Sequence, residues 1–133
     1  MISKTTTLFI YGTLLDEDVS SRVIMETFRI IPATLDGYLA VYVSGQSYPG
    51  ITRNHTATTS GGVIKNLSEK ALSRLEFFEG SEYSLINVDV RVGPRVEQAF
   101  VFAPGADVSL SETPWDLAIW RRKHKPMFMK KFF

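Results

Sequence analysis

The chain has 133 residues, 44% of them hydrophobic and 22% charged, with a formal net charge of +1. That length matches one ordinary domain over residues 1–133, and the balance is that of a globular protein, not a disordered one. There is no cysteine, which excludes disulfides, thiolate metal sites and a cysteine nucleophile. No apolar run approaches the roughly 18 residues of a membrane span, and the first residues lack the pattern of a signal peptide. A cytoplasmic protein is therefore expected. The small net charge selects neither nucleic acid nor membrane, although the charge is uneven. Residues 114–133 carry six Lys/Arg and one acid, and the preceding residues carry nine basic and thirteen acidic side chains.

In chain order, residues 6–11 predict a buried first strand around Leu8, Phe9 and Ile10, closed by Gly12. Residues 16–29 have near-helical apolar spacing at Val19, Val23, Ile24 and Phe28, with Asp16 or Asp18 as the N-cap. Residues 33–43 look extended but broken at Asp36-Gly37. Residues 45–50 and 54–62 look like loops, the second being polar, and Gly62-Val63-Ile64 opens a short strand. Residues 68–79 predict a helix: Ser68 caps it, Ala71, Leu72, Leu75 and Phe78 form its stripe, and Gly80 suits a left-handed C′ position. Ile86, Val88, Val90 and Val92 alternate with polar residues, which is a half-buried strand. Gly93-Pro94 turns it into a hairpin partner over residues 96–102. Thr113 with Pro114 at N1 predicts a last helix to about His124, ended or kinked by Pro126. Strands in hairpins outnumber helices, so the class is α+β.

Two places invite chemistry. At Tyr11-Gly12-Thr13-Leu14 a glycine follows a buried strand, where it either turns the chain or lets a ligand approach the main chain. Successive N–H groups at such a bend can bind an anionic or carbonyl oxygen. Neither phosphate-loop pattern occurs here. Glu79 ends the helix beside Phe77 and Phe78. Apolar neighbours and the negative end of a helix both raise a carboxyl pKa towards the range of a general base, while an exposed surface acid is the plain alternative. His55 and His124 lack metal-ligand spacing, so no metal site is expected. The serines lack a nucleophile context. The run Arg121-Arg122-Lys123-His124-Lys125 reads as a solvated helix face, with Trp115, Trp120 and Phe128 packing inward.

In this order the segments resemble the gamma-glutamylcyclotransferase-like family, particularly its gamma-glutamylamine cyclotransferase and avirulence-induced-gene-like branch. The resemblance is carried by Leu8-Phe9-Ile10-Tyr11-Gly12-Thr13-Leu14, Ala33-Thr34-Leu35-Asp36-Gly37-Tyr38 and Tyr48-Pro49-Gly50-Ile51. It continues through Gly62-Val63-Ile64, then Leu75-Glu76-Phe77-Phe78-Glu79-Gly80 with Tyr83, and Val88-Asp89-Val90. It implies a small mixed, barrel-like β-sheet with flanking helices. It also implies cofactor-independent release of 5-oxoproline from a gamma-glutamyl amine or related amide. In that reading Tyr11, Gly12, Thr13, Leu14 and Tyr83 bind the small-molecule gamma-glutamyl substrate, and Glu79 is the general acid/base. Many members have Tyr, any residue, then Arg after the glutamate; here the run is Tyr83-Ser84-Leu85, which leaves the substrate open. The alternatives carried forward are a non-catalytic module binding a small carboxylate metabolite, and a nucleic-acid accessory protein using the basic tail.

Overall fold

The computed structural model describes residues 6–133; the expectation about the signal-peptide pattern concerns residues outside that range. The elements in chain order are β1 (Thr6–Ile10), a short 3-10 turn (Thr13–Leu15), α1 (Glu17–Ile24), β2 (Ile31–Val43), β3 (Pro49–Leu67), α2 (Glu69–Glu79), β4 (Tyr83–Val92), β5 (Arg95–Pro104), β6 (Leu110–Pro114), α3 (Leu117–Lys123) and α4 (Lys125–Phe132). The strands run in the order β3-β1-β5-β4-β2, and β2 pairs again with β3, closing a five-stranded barrel. β6 adds to the outside of β2. β1 lies parallel to β5 and the other pairings are antiparallel. The expected α+β, barrel-like sheet with flanking helices is the fold observed.

β1 ends in a continuous apolar run, Leu8-Phe9-Ile10, because both faces of that part are buried. Phe9 joins Val63, Val88, Val90 and Val101 inside the barrel. Leu8 and Ile10 face the helices with Ile64, Leu75 and Trp120. Alternation disappears in a strand covered on both sides, and a continuous hydrophobic run results. The weakest seam is β2 to β4, paired at Thr34 and Arg91. There the Arg91 guanidinium donates to both carboxylate oxygens of Asp36, at 2.7 and 2.9 Å.

Several elements differ from expectation, each for a local reason. β2 is continuous through Asp36-Gly37, with Gly37 at φ +82°, and the bulge there lies in the facing strand β3. The polar segment 54–62 is strand, not loop. It lies within β3, where residues 58–62 pair with β2 and residues 54–57 bulge out opposite Gly37; much of the segment is exposed, so its Thr-rich sequence shows no apolar alternation. α1 stops at Ile24 instead of reaching residue 29. Met25 turns left-handed at φ 58°, and Arg74 of α2 donates to the Ile24 carbonyl at 2.6 and 3.0 Å. The last helix starts later than Pro114. The Trp115 N–H donates to Ala40 O at 3.0 Å, which keeps the chain extended, and Asp116 becomes the cap of α3. Pro126 then opens α4. α2 is as expected, with Ser68 capping at 3.1 Å and Ala71 and Leu75 fully buried. Gly80 follows at φ +88°, ψ 171°, so it has the positive φ of a glycine stop but a more extended ψ than the expected left-handed cap.

Candidate functional site

One end of the barrel opens into a cavity of about 200 Å³ that brings together the two places singled out in the sequence. Tyr11, Gly12, Thr13 and Leu14 form one wall. Glu79 and Tyr83 face it from the end of α2 and the start of β4, and Phe128 of α4 covers it. The volume is small beside drug-sized pockets of roughly 300–1,000 Å³, and suits a group of amino-acid size.

The loop wall follows from how β1 ends. Gly12 precedes the 3-10 turn, with Leu15 N–H donating to Gly12 O and Asp16 N–H to Thr13 O, both at 3.0 Å. Among the described residues no acceptor takes a hydrogen bond from the N–H groups of Gly12, Thr13 or Leu14. Gly12 is required for a reason invisible in the tetrapeptide: a Cβ there would stand 2.8 Å from the Pro49 ring. Pro49 is thus the neighbour that makes the close approach, and it too lines the cavity. Behind the turn lies Asp16, 1% exposed. It accepts from the N–H groups of Asp18 and Val19 to cap α1. It also pairs with Arg121 and Lys125, each at 2.9 Å. Burial would raise its carboxyl, but hydrogen bonds from Lys125 and Arg121 outweigh this and hold it below the usual range. One carboxylate therefore ties the loop to α1, α3 and α4.

α2 delivers Glu79. The residue keeps part of its surface, while its carboxyl end is enclosed by protein, and that burial pushes its pKa from 4.5 up to about 7. Among the described residues no ion pair reaches it. Two tyrosines stand near, and both spend their protons elsewhere. The Tyr11 hydroxyl donates to Phe102 O, and the Tyr83 hydroxyl to Pro49 O, each at 2.8 Å. Neither proton is free to stabilise a Glu79 carboxylate. Burial raises both phenols, and the Glu79 charge raises them further. The result is an acid surrounded by apolar rings and lone pairs, sharing one cavity with a loop whose N–H groups have no protein acceptor. Such a site can take up a proton near neutral pH and hold an oxygen that carries negative charge.

All six residues singled out in the sequence line this cavity. Nine further residues line it, among them Tyr48, Pro49, Phe78, Phe102, Phe128 and Phe132, which sequence reasoning did not assign to a site. Tyr48-Pro49 had a local signal in its turn, but nothing in the sequence says that residue 48 meets residue 128. Phe128 is held by edge-on contacts to Phe78 at 6.1 Å and Trp120 at 5.3 Å. Leu85 packs against the outer apolar layer and is not among the lining residues. Trp115 and Trp120 pack inward as expected, at 9% and 0% exposure. Among the described residues no group of His, Asp or Glu has the arrangement of a metal site, and no helix is long and apolar enough to cross a membrane.

The model of the gamma-glutamyl cyclotransferase, AIG2-like family matches residues 8–121. The chain belongs to this family. It is 27% identical over 129 residues to Protein AIG2 C of Arabidopsis thaliana, covering 94% of this chain and 78% of that one. The solution structure of an Arabidopsis thaliana protein superposes with a TM-score of 0.72 at 24% identity, over 99% of this chain and 83% of that one. A structure described as a gamma-glutamyl cyclotransferase superposes with a TM-score of 0.65 at 18% identity, over 81% and 69%. At these identities the two structures establish a shared fold, and the residues of this cavity carry the chemical argument.

Proposed function

We propose that this member of the family is a gamma-glutamyl cyclotransferase, releasing 5-oxoproline from a gamma-glutamyl amine or related amide without a cofactor. The observation that carries the proposal is the Glu79 carboxyl, unpaired, enclosed and raised to about 7, across one small cavity from the N–H groups of Gly12, Thr13 and Leu14.

In this reading the glutamyl group lies folded between the loop and Glu79. Its α-ammonium cannot attack until it loses a proton, and Glu79 accepts that proton. The freed α-nitrogen attacks the γ-carbonyl carbon, forming the new C–N bond of the lactam. The old C–N bond breaks and the amine departs. Two protons leave the α-nitrogen and two arrive on the departing amine; Glu79 takes the first and returns it, ending as it began. The loop N–H groups receive a negative oxygen, either the glutamyl α-carboxylate or the oxyanion formed at the γ-carbon. Holding the chain folded supplies the orientation that makes the attack intramolecular in effect. The occupied hydroxyls of Tyr11 and Tyr83 build the wall and keep Glu79 from being stabilised as an anion.

The test is incubation with gamma-glutamyl amides and measurement of 5-oxoproline and free amine. Equal amounts of both are expected, and Glu79→Gln should lose this release while keeping the circular-dichroism spectrum of the parent. Tight binding of a gamma-glutamyl amide without product, in the parent protein, would instead favour a binding module.

A further inference from the structure

α4 helps to enclose the cavity, yet is itself lightly held. Phe128 and Phe132 line the cavity, while no residue of the helix is fully buried. His124 both ends α3 and begins α4, and Pro126, just inside α4, brings no N–H to a backbone ladder across that joint. The direction of α4 is therefore left to its side chains. Phe128 packs on Phe78 and Trp120. At the start of the helix, Lys125 Nζ lies 2.9 Å from Asp16 Oδ2 and donates to Asp18 Oδ2 at 2.6 Å. Among the described residues no other side chain of α4 is in an ion pair.

The partner is a fixed point. Asp16 is buried, caps α1 and pairs with Arg121. It also follows directly on the 3-10 turn, where its N–H donates to Thr13 O. Lys125 thus ties the helix that covers the cavity to the loop that forms another of its walls. Three residues separate Lys125 from Phe128, so the two are neighbours on the surface of α4 and fixing one restrains the other.

We infer that Lys125 is a positioning residue: by clasping Asp16 and Asp18 it holds Phe128 over the cavity and keeps water from Glu79. The inference rests on the proposed reaction in that the shielded group is the proton acceptor. Lys125 itself does not line the cavity and takes no part in the proton transfers.

The sign of one shift separates this role from a direct effect of charge. Glu79 titrates at about 7 because protein encloses it. The titratable groups that share its cavity are Tyr11 after β1, Tyr48 before β3, and Tyr83 with Glu82 at the start of β4. Among the described lining residues there is no Lys, Arg or His. Removing the Lys125 cation, and leaving Asp16 and Asp18 less compensated, would by charge alone raise the Glu79 carboxyl further. Loosening the cover admits water, which favours the carboxylate and lowers it.

The test is a titration of the glutamate side-chain carboxyls by carbon-13 NMR, with the Glu79 signal assigned by its loss in Glu79→Gln. In Lys125→Met the Glu79 midpoint should fall by about one pH unit from the parent value. Lys125→Arg restores the charge and should stay near the parent. Lys125→Gln can still donate to Asp16, should fall by less, and decides the matter if Lys125→Met does not fold. The inflection in kcat/KM for a gamma-glutamyl amide should move with the midpoint. A merely stabilising Lys125 would lower the melting temperature without moving either. A midpoint unchanged or raised on loss of Lys125 overturns the inference and leaves the cyclotransferase reading intact. An equal fall in Lys125→Arg also overturns it, because charge would not then be what holds the helix. Absence of 5-oxoproline from the parent overturns the cyclotransferase reading instead, and the NMR titration, which needs no turnover, still decides whether Lys125 shields Glu79.

Discussion

Replacing Glu79 by glutamine should make the protein more stable above about pH 4.5, and most so at neutral and alkaline pH. In the folded chain the carboxyl titrates at about 7, against 4.5 as an ordinary glutamate. Between those values the folded protein holds a proton that the unfolded chain has already lost. Stability therefore falls as pH rises from about 4.5 to about 7, and the loss is complete above 7. At about 1.4 kcal/mol for each pH unit, this comes to about 3–4 kcal/mol. Water reaching the exposed part of the residue reduces the penalty, so about 3–4 kcal/mol is the ceiling. Glutamine has nearly the same shape and no charge. Urea unfolding of parent and Glu79→Gln at pH 4.5, 6, 7 and 8 should show curves that nearly coincide at the lowest pH. They should then separate progressively, with the variant higher and the slopes unchanged. The reasoning is refuted if the two proteins differ by the same amount at every pH, because the carboxylate would then not be desolvated in the fold.

Asp16 should behave in the opposite sense. Asp16→Ala removes the cap of α1 and leaves Arg121 and Lys125 without their shared partner, so a loss of about 2–4 kcal/mol is expected in urea unfolding. Because its folded pKa is lowered, its contribution is present above the ordinary aspartate value and is lost as pH falls through the lowered one. The destabilisation by Asp16→Ala should therefore be smaller at pH 3 than at pH 7. Gly12→Ala places a methyl group against the Pro49 ring and should cost about 1–3 kcal/mol in a thermal or urea melt, with a raised KM if the loop shifts. Tyr83→Phe removes the hydrogen bond to Pro49 O and should cost about 1 kcal/mol by the same melts, leaving the fold intact.

What could be read from the chain depended on whether the signal was local. α2 was legible because its cap, stripe and stop lie within thirteen residues, and β4–β5 because Gly93-Pro94 separates two alternating runs. The bulged and largely exposed middle of β3 was not, since a stretch open to water carries no hydrophobic period. The starts and stops of α1 and α3 were set by partners distant in sequence, Arg74 on the Ile24 carbonyl and Ala40 on the Trp115 amide. The candidate site divides in the same way. Gly12 and Glu79 stood out by type and place, but the burial of Glu79 comes from Tyr11, Tyr83 and the aromatic rings of α4, which only the folded chain brings together. Even Gly12 drew attention for one reason and is held by another. The sequence suggested a ligand beside its backbone, and the Pro49 ring is what stands there.

The most direct test of Glu79 as the proton acceptor is the pH dependence of 5-oxoproline release at low concentration of a gamma-glutamyl amide. The account predicts that kcat/KM for the parent rises through an inflection near pH 7, the value set by burial of this carboxyl. Glu79→Gln should be slower by about a hundredfold or more and should lack that inflection. A Glu79→Gln protein with the rate and pH profile of the parent would contradict it.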